Sequence, residues 1–374
     1  MMIIIPIILI FLVIYCLSLI FYIIGNIKKN KLYRNNNLEP VSVIVAVKNG
    51  TLSLPNLLQD LENQNYQGEI EFIIVNDESI DDSKKIIKKF ENKNHHFKYI
   101  SSTNGNPKLK FKKKALDAGI KAANFDILLF TDVDCRLPKT WVTSMSQSFD
   151  LEVDYVIGVS KINTTNNIIS WFQKIDLMML FYVARGMCNL NVPFASIGQN
   201  QAYRKQLYEK VGFLDILDSI QGDDTLFLQL CIKHNIKVVF NDNPQSFVIS
   251  RIENKLCSFI KQRIRWAADL KVMWNYNKTL FIVSLSTFMT NMIILLLLLD
   301  LLTLNIFNYS KLFYLILIMK LILELFLYIT GGIKLKFRAN LIGFLYWFIL
   351  EIPYVVFMGI GSFFVQFIGW RGQK

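Results

Sequence analysis

Two aspartates, Asp132 and Asp134, stand one residue apart in the stretch FTDVDCRLP, shortly after the apolar run DILL. Side chains two residues apart in an extended segment point to the same side, so both carboxylates can face one cation. Carboxylate oxygens suit Mg²⁺ or Mn²⁺, which typically bridges a protein to a diphosphate. The other interpretation is a solvent-exposed acidic turn. The position after a buried strand favours a metal ion that offsets the repulsion between the two charges.

The elements that must position these aspartates alternate between strands and helices. Strands are predicted at 40–49, 70–77, 97–100 and 125–132, and helices at 53–64, 82–93 and 112–123. This alternation predicts an α/β fold with a mostly parallel sheet covered by helices. Ligands bind beyond the carboxyl ends of such strands, and Asn76, Asp77, Asp132 and Asp134 fall at this rim.

A second acidic pair, Asp223 and Asp224, follows a glycine in the stretch QGDDTLF. A carboxylate is a common general base for an attacking hydroxyl group. The pair could also begin a helix over the apolar stretch 225–234. Asp223 would then be the N-cap and would orient Asp224, so the two interpretations are compatible.

Four apolar segments, at 1–27, 279–299, 312–330 and 340–369, hold much of the chain's hydrophobic excess. Each is near the roughly 20 residues that a helix needs to cross a bilayer. The first is expected to be a retained anchor, because it lacks the basic start and the cleavage pattern of a signal peptide. The last contains Glu351 and Pro353, so it is either one long tilted helix or two half-helices.

The predicted domains follow from these segments. They are an N-terminal transmembrane helix (1–27), a basic juxtamembrane linker (28–40), an α/β domain (41–250), an amphipathic interface helix (251–278) and a C-terminal transmembrane region (279–374). Lys and Arg accumulate on the cytoplasmic side of membranes, and they cluster here at 28–34, 261–278 and 334–338. The chain is therefore expected to be a multi-pass protein of the cell membrane with its α/β domain in the cytoplasm and its N-terminus outside.

Charge and cysteine usage argue against three other kinds of partner or site. The net charge of +12 is expected to attract anionic membrane lipids, and nucleic acid is not expected, because the basic clusters flank the membrane spans. The five cysteines show no paired spacing and the three histidines form no ligand pattern with them. Neither a disulfide framework nor a zinc site is therefore expected.

From about Pro40 to Trp266 the chain resembles the membrane-bound members of glycosyltransferase family 2, which share a GT-A type fold and use nucleotide-diphosphate sugars. Seven stretches carry the resemblance, in the family's order: VSVIVAVKNG, IIVNDESIDDS, FKKKAL, TDVDC, GQNQAYRK, QGDDTLF and QRIRW. The chain departs from the pattern in five places. GTLSL replaces the acidic residues that usually follow the asparagine of VKNG, and Asp223 replaces a more usual glutamate. The other three departures lie in the donor half. Asn76 and Glu78 replace the first aspartate and the glycine of Asp-Asp-Gly-Ser, and Phe111 replaces the glycine of Gly-Lys-Lys.

The resemblance implies a role for each matching residue. The donor is expected to be bound by Asp77, Lys112, Asp132 and Asp134, and the last two are expected to act through the metal ion. The catalytic base is expected to be Asp224. The acceptor or diphosphate side is expected to include Asp223, Gln262, Arg265 and Trp266. Lys113 could share the phosphate role of Lys112. The helix that carries QRIRW has a simpler interpretation as a lipid-interface helix, and both roles are compatible.

The expected activity is metal-dependent, inverting transfer of a sugar from a nucleotide-diphosphate sugar, expected to be a UDP-sugar, to a lipid-linked or growing glycan acceptor. The cofactor is a divalent metal, Mg²⁺ or Mn²⁺. The small number of spans favours single or limited addition over a processive polysaccharide synthase. A catalytically inactive relative that scaffolds an envelope complex is the alternative from another class.

Three charged residues lie inside the predicted spans. Lys320 and Glu324 are four residues apart in the third span, and Glu351 lies in the fourth. Charges inside a membrane usually pair with each other or line a polar path. An ion pair between helices is the favoured interpretation, and a transport path is the other.

Overall fold

The computed structural model describes residues 4–30, 38–165, 167–217, 222–302 and 310–367. The chain divides into two compact units. One, the α/β unit, comprises Asn30–Asn163 and Asn191–Ile252. The other, the helical unit, comprises Met1–Lys29, Thr164–Leu190 and Glu253–Lys374.

Within the described residues the α/β unit contains nine strands: β1 Val41–Val47, β2 Ile70–Asn76, β3 Phe97–Ser101, β4 Ile127–Phe130, β5 Val153–Ile157, β6 Ser160–Ile162, β7 Gln201–Arg204, β8 Lys237–Phe240 and β9 Val248–Ser250. Seven of them form one sheet in the order β3-β2-β1-β4-β7-β5-β8, and β6 and β9 form a separate parallel pair. The four strands from β3 to β4 are parallel, β7 is antiparallel to both of its neighbours, and β5 and β8 are again parallel. The predicted mostly parallel sheet is confirmed.

The described helices, numbered along the chain, are α1 Ile4–Ile27, α2 Leu54–Glu62, α3 Ser83–Lys93, α4 Phe111–Ala122, α5 Trp141–Ser146, α6 Ile168–Asn189, α7 Lys205–Val211, α8 Thr225–Ile232, α9 Leu256–Val272, α10 Lys278–Leu302, α11 Ser310–Lys334 and α12 Leu341–Gly361. In the α/β unit, the valines of β1 and the leucines of α2 lie in one core. A fully buried leucine such as Leu57 contributes about 2 kcal/mol to this core.

The helical unit contains four helices that are long and apolar enough to cross a membrane: Ile8–Ile27, Lys278–Leu302, Lys311–Lys334 and Leu341–Val365. The four predicted spans are thereby confirmed by length and composition. Helix α12 is continuous from Leu341 to Gly361 and passes through Pro353, which favours the single-helix alternative over that range. The C-terminal WRGQK lies outside the described residues.

Helix α6 belongs to the helical unit, where it packs on α1, α11 and α12. A β-carbon on Gly25 of α1 would lie 2.0 Å from the carbonyl oxygen of Gly186 in α6, so only glycine permits this approach. The Asn26 side chain crosses the same contact and donates to the Tyr182 carbonyl oxygen at 2.8 Å. The predicted boundary of one α/β domain at 41–250 therefore differs from the observed division, because α6 finds its apolar partners among the other long helices. Most of the predicted linker at 28–40 lies outside the described residues.

Candidate functional site

The carboxyl ends of β1, β2 and β4 lie at one edge of the sheet, because these neighbouring strands are parallel. Asp77 follows β2 directly, and its backbone N–H donates to the Val47 carbonyl oxygen at 2.8 Å. The Asp77 carboxylate is buried, and the Lys48 ammonium lies 3.6 Å from its Oδ2. Burial raises the pKa of Asp77, and Lys48 opposes that shift. Lys48 was not predicted, although it follows β1 at the same rim.

Asp132 and Asp134 lie beyond the end of β4, which finishes at Phe130. The Cys135 N–H donates to the Asp132 carbonyl oxygen at 3.1 Å, so this segment is a turn. The extended geometry predicted for the two aspartates is therefore wrong. The chain turns here because Arg136 leaves the main sheet and pairs with Ile249.

Lys112, on the first turn of α4, joins the two acidic segments. Its Nζ lies 2.8 Å from Asp132 Oδ1 and 2.9 Å from Asp223 Oδ2. Burial acts to lower the pKa of Lys112, but the two carboxylates outweigh it and raise that pKa above its ordinary value. The end of β4 and the start of α8 therefore meet at one ammonium group, although they are far apart in sequence.

Asp224 is the N-cap of α8, with one carboxylate oxygen accepting from the Thr225 N–H at 2.5 Å. The other oxygen accepts from the Gly198 N–H at 3.1 Å. The expectation that Asp223 would be the cap is wrong by one residue, because the Asp223 side chain binds Lys112. Gly222 permits this approach to the helix, since its φ of +106° is a conformation that favours glycine.

The surroundings of Asp224 suit a general base. Burial, and then repulsion from Asp223, raise the pKa of Asp224 to about 6. The two backbone donors and Lys112 act in the opposite direction. A base with a pKa near the working pH is efficient, because it is ionised and still basic enough to accept a proton.

Gly198 begins the stretch predicted to face the acceptor, and it lies against the acidic cluster. A β-carbon at this position would lie 3.1 Å from both Lys112 Nζ and Asp223 Oδ2. Any other residue would therefore press on the ion pair between them. This close approach is visible in the structure and was not predicted from the sequence.

Lys112 and Lys113 have different partners, although they are adjacent in the sequence. Lys113 is buried, and its Nζ donates to the Ile216 carbonyl oxygen at 2.7 Å. A phosphate role for Lys113 is therefore not supported. It holds the segment that precedes Asp223 against α4.

Two departures from the family pattern fall on unusual backbone conformations. Glu78 has a φ of +49° and Phe111 a φ of +55°, in the left-handed region that favours glycine. Both residues stand where the family pattern has glycine. The chain therefore keeps the backbone conformation and tolerates the strain of a side chain.

Gln262, Arg265 and Trp266 lie on α9, in the helical unit. Their predicted role at the acceptor or diphosphate side stays a prediction. The intervening Arg263 was not singled out from the sequence. Its guanidinium lies 3.0 Å from Asp176 Oδ2 on α6 and 4.0 Å from the centre of the Trp266 ring, so it fixes α9 within the helical unit.

At the carboxyl edge of the sheet, the candidate ligands for a divalent metal are Asp132 and Asp134. Both supply oxygen atoms only. Among the described residues no group of three or more His, Cys, Asp or Glu side chains forms a metal site. These donors fit Mg²⁺ or Mn²⁺, which are typically bound through one or two carboxylates together with substrate phosphates. They do not fit a metal held by the protein alone.

The strand order, with acidic residues at the carboxyl ends of its parallel strands, defines the GT-A class of nucleotide-diphospho-sugar transferase folds. The mannosyltransferase PcManGT from Pyrobaculum calidifontis, solved in complex with GDP-Man and Mn²⁺, has the same fold. It superposes with a TM-score of 0.55 and 13% identity, over 86% of this chain and 95% of that chain.

Residues 42–212 match the family described as Glycosyl transferase family 2, so the chain carries a glycosyltransferase domain of that family. A poly-beta-1,6-N-acetyl-D-glucosamine synthase of Staphylococcus epidermidis is 25% identical over 66% of this chain and 59% of its own length. A probable glycosyltransferase of Bacillus subtilis, YdaM, is 26% identical over 62% of this chain and 55% of its own length. The chain thus spans less than two thirds of the length of these relatives.

Proposed function

We propose that this protein is a metal-dependent, inverting glycosyltransferase of the cell membrane. It moves a sugar from a nucleotide-diphosphate sugar to a lipid-linked or growing glycan acceptor. The proposed donor is a UDP-sugar. The observation that carries this proposal is the meeting of Asp132 and Asp223 at Lys112, with Asp224 beside them. Carboxylates on separate segments thus share one site, and one of them has a pKa of about 6.

The chemistry follows from these groups. The Asp224 carboxylate accepts the proton of the acceptor hydroxyl, and the hydroxyl oxygen forms a bond to the anomeric carbon of the sugar. The bond from that carbon to the diphosphate breaks, and the nucleoside diphosphate leaves with the electron pair. A single displacement inverts the configuration at the anomeric carbon. Asp132 and Asp134 would hold the divalent ion, whose charge neutralises the leaving diphosphate.

Lys112 and Asp77 complete the donor side of the proposal. The Lys112 ammonium already balances two carboxylates, and a bound diphosphate would give it a third anionic partner. The buried Asp77 lies at the end of β2, where the family pattern contacts the nucleotide.

A polysaccharide synthase is a second candidate, favoured by the relatives that are named poly-beta-1,6-N-acetyl-D-glucosamine synthases. The same site could perform single and repeated additions, so the two candidates differ in the product. The four apolar helices favour an acceptor at the membrane in both cases, and the clustered Lys and Arg favour a cytoplasmic site.

The test is a donor screen with the purified full-length protein in lipid nanodiscs. Labelled UDP- and GDP-sugars, UDP-N-acetylglucosamine among them, are supplied with Mn²⁺ or Mg²⁺ and a lipid extract as acceptor. Release of the nucleoside diphosphate together with labelled product supports the proposal, and the size of the product separates one addition from many. If no donor releases its nucleotide with either metal, the inactive-scaffold alternative replaces it.

A further inference from the structure

A cluster of polar side chains lies among the long helices of the helical unit. We refer to it as the intramembrane cluster, and its members are Tyr15 on α1, Asn291 on α10, Lys320 and Glu324 on α11, and Glu351 on α12. Each of these residues is buried, with at most 5% of its surface exposed. Four helices that could span a membrane therefore meet at this cluster.

Lys320 stands between the two glutamates. Its Nζ lies 2.6 Å from Glu324 Oε1 and 2.7 Å from Glu351 Oε2. The Tyr15 hydroxyl donates to Glu324 Oε1 at 2.5 Å, and the Asn291 amide donates to Glu351 Oε1 at a longer 3.3 Å. The predicted ion pair between helices is thus present, but it contains a second carboxyl group.

The charges of the intramembrane cluster do not balance if both glutamates are ionised. Two carboxylates would face one ammonium, and the ion pairs of both glutamates among the described residues are with Lys320 alone. An uncompensated charge inside a membrane or a protein interior costs several kcal/mol. The structure must therefore supply one further positive charge.

The neighbouring charges do not supply it. On the adjoining helices, Asp176 of α6 pairs with Arg263 of α9, with their side chains 3.0 Å apart. The Tyr354 hydroxyl of α12 donates to the same aspartate at 3.5 Å. Arg263 is thus matched by Asp176, and the excess negative charge stays with the glutamates.

Unsatisfied atoms in the cluster point to a small ligand. Glu324 Oε2 and Asn291 Oδ1 are buried, and neither has a hydrogen-bond partner among the described residues. A buried carboxylate needs donors for its remaining lone pairs, and this one lacks them on one oxygen. A proton bound to the carboxyl pair removes the excess charge, and on Glu324 Oε2 it occupies a lone pair that has no other donor among the described residues.

We propose that Glu324 and Glu351 share one bound proton, which makes the intramembrane cluster a proton-binding site without net charge. The proton comes from water and binds reversibly to a carboxylate oxygen, so no other reactant is needed. The pair titrates as a unit, with Lys320 between its members. This inference is independent of the proposed sugar transfer, since none of these residues belongs to the α/β unit.

Infrared spectroscopy of the full-length protein in a detergent without ester groups tests the proposal, since the carbonyl stretch of a protonated carboxylic acid then does not overlap with that of lipid esters. We expect this band in the wild-type protein at pH 7 in sodium-free buffer. Glu324→Gln and Glu351→Gln should each lose it, because one carboxylate then balances Lys320. Lys320→Met should keep or enlarge it, because both carboxyl groups must then be neutral. Glu152→Gln, which removes an exposed carboxylate of the α/β unit, is the control that should retain the wild-type band.

The glutamine variants copy the shape of a protonated glutamate, so they are expected to fold, and circular dichroism checks this. The thermal stability of the wild-type protein should fall as the pH rises above neutrality, and that of Glu351→Gln should not. A wild-type protein without the carbonyl band overturns the proposal. If its stability then rises with sodium concentration, the ligand is a monovalent cation instead.

Discussion

The surroundings of Asp224 act on its charge in opposite directions. The Thr225 and Gly198 N–H groups stabilise the carboxylate, whereas burial and the Asp223 carboxylate destabilise it. Burial and the Asp223 carboxylate have the larger effect, so the pKa of Asp224 rises to about 6. In the folded protein Asp224 therefore favours the protonated form. Its contribution to stability is fully present below about pH 4 and is lost as the pH rises through 6.

The pH dependence of the reaction should report this pKa. Because only the ionised carboxylate accepts a proton, kcat/KM should rise about tenfold per pH unit below pH 6 and become level above it. Initial rates of nucleotide release from pH 4.5 to 8 measure the profile, with the metal concentration held constant. A profile without this acid limb would assign the base to another residue.

At the scale of the elements, the first four strands could be predicted from the sequence, because each is a β-branched or apolar run with a clear end. The later strands, β5 to β9, were not predicted, because their order and the antiparallel insertion of β7 rest on pairing between segments that are distant in sequence. The close contact of α1 with α6 depends on Gly25 and Gly186 meeting in space, which no local pattern shows.

The candidate site was predicted only in part, because local sequence patterns do not show contacts between distant residues. Asp77 and the segment that contains Asp132 were identified because each follows a parallel strand. The carboxyl ends of such strands lie at one edge of the sheet, where ligands bind. Lys48, Gly198 and the separate roles of Lys112 and Lys113 depend on side-chain contacts. The turn after β4 was missed because the pairing of Arg136 with Ile249 is a long-range contact.

The turn after β2 gives a stability prediction. Glu78 is exposed and has a φ of +49°, and a left-handed conformation costs a residue with a β-carbon about 1 kcal/mol. Glu78→Gly should therefore stabilise the protein by about 1 kcal/mol, which raises its melting temperature by about 1–2 °C.

Thermal melting in nanodiscs measures the change, and Glu78→Ala is the matched control. Alanine removes the carboxylate but keeps the β-carbon, so it should give no such gain. An equal gain in both variants would attribute the effect to the charge of Glu78 instead of its backbone conformation.

At the scale of the whole molecule, the distribution of Lys and Arg predicts its orientation. In the sequence, basic residues cluster between the apolar segments and the α/β unit. This unit is therefore expected on the cytoplasmic side. Trypsin should cleave near Arg251 and Lys255 in inside-out membrane vesicles and leave that region intact in spheroplasts. An epitope at the N-terminus, expected outside, is the control. Cleavage of the region in intact spheroplasts would reverse the orientation.

The central claim is that carboxylates from separate segments serve one donor and one acceptor, with Asp224 as the base. Asp224→Asn tests it most directly when donor affinity and transfer are measured on the same nanodisc sample with Mn²⁺. We expect near-normal affinity for the nucleotide sugar and a transfer rate lower by about a hundredfold to ten-thousandfold. Asp134→Ala is the opposite case and should lose the Mn²⁺-dependent part of donor binding. Transfer at the wild-type rate in Asp224→Asn would contradict the account.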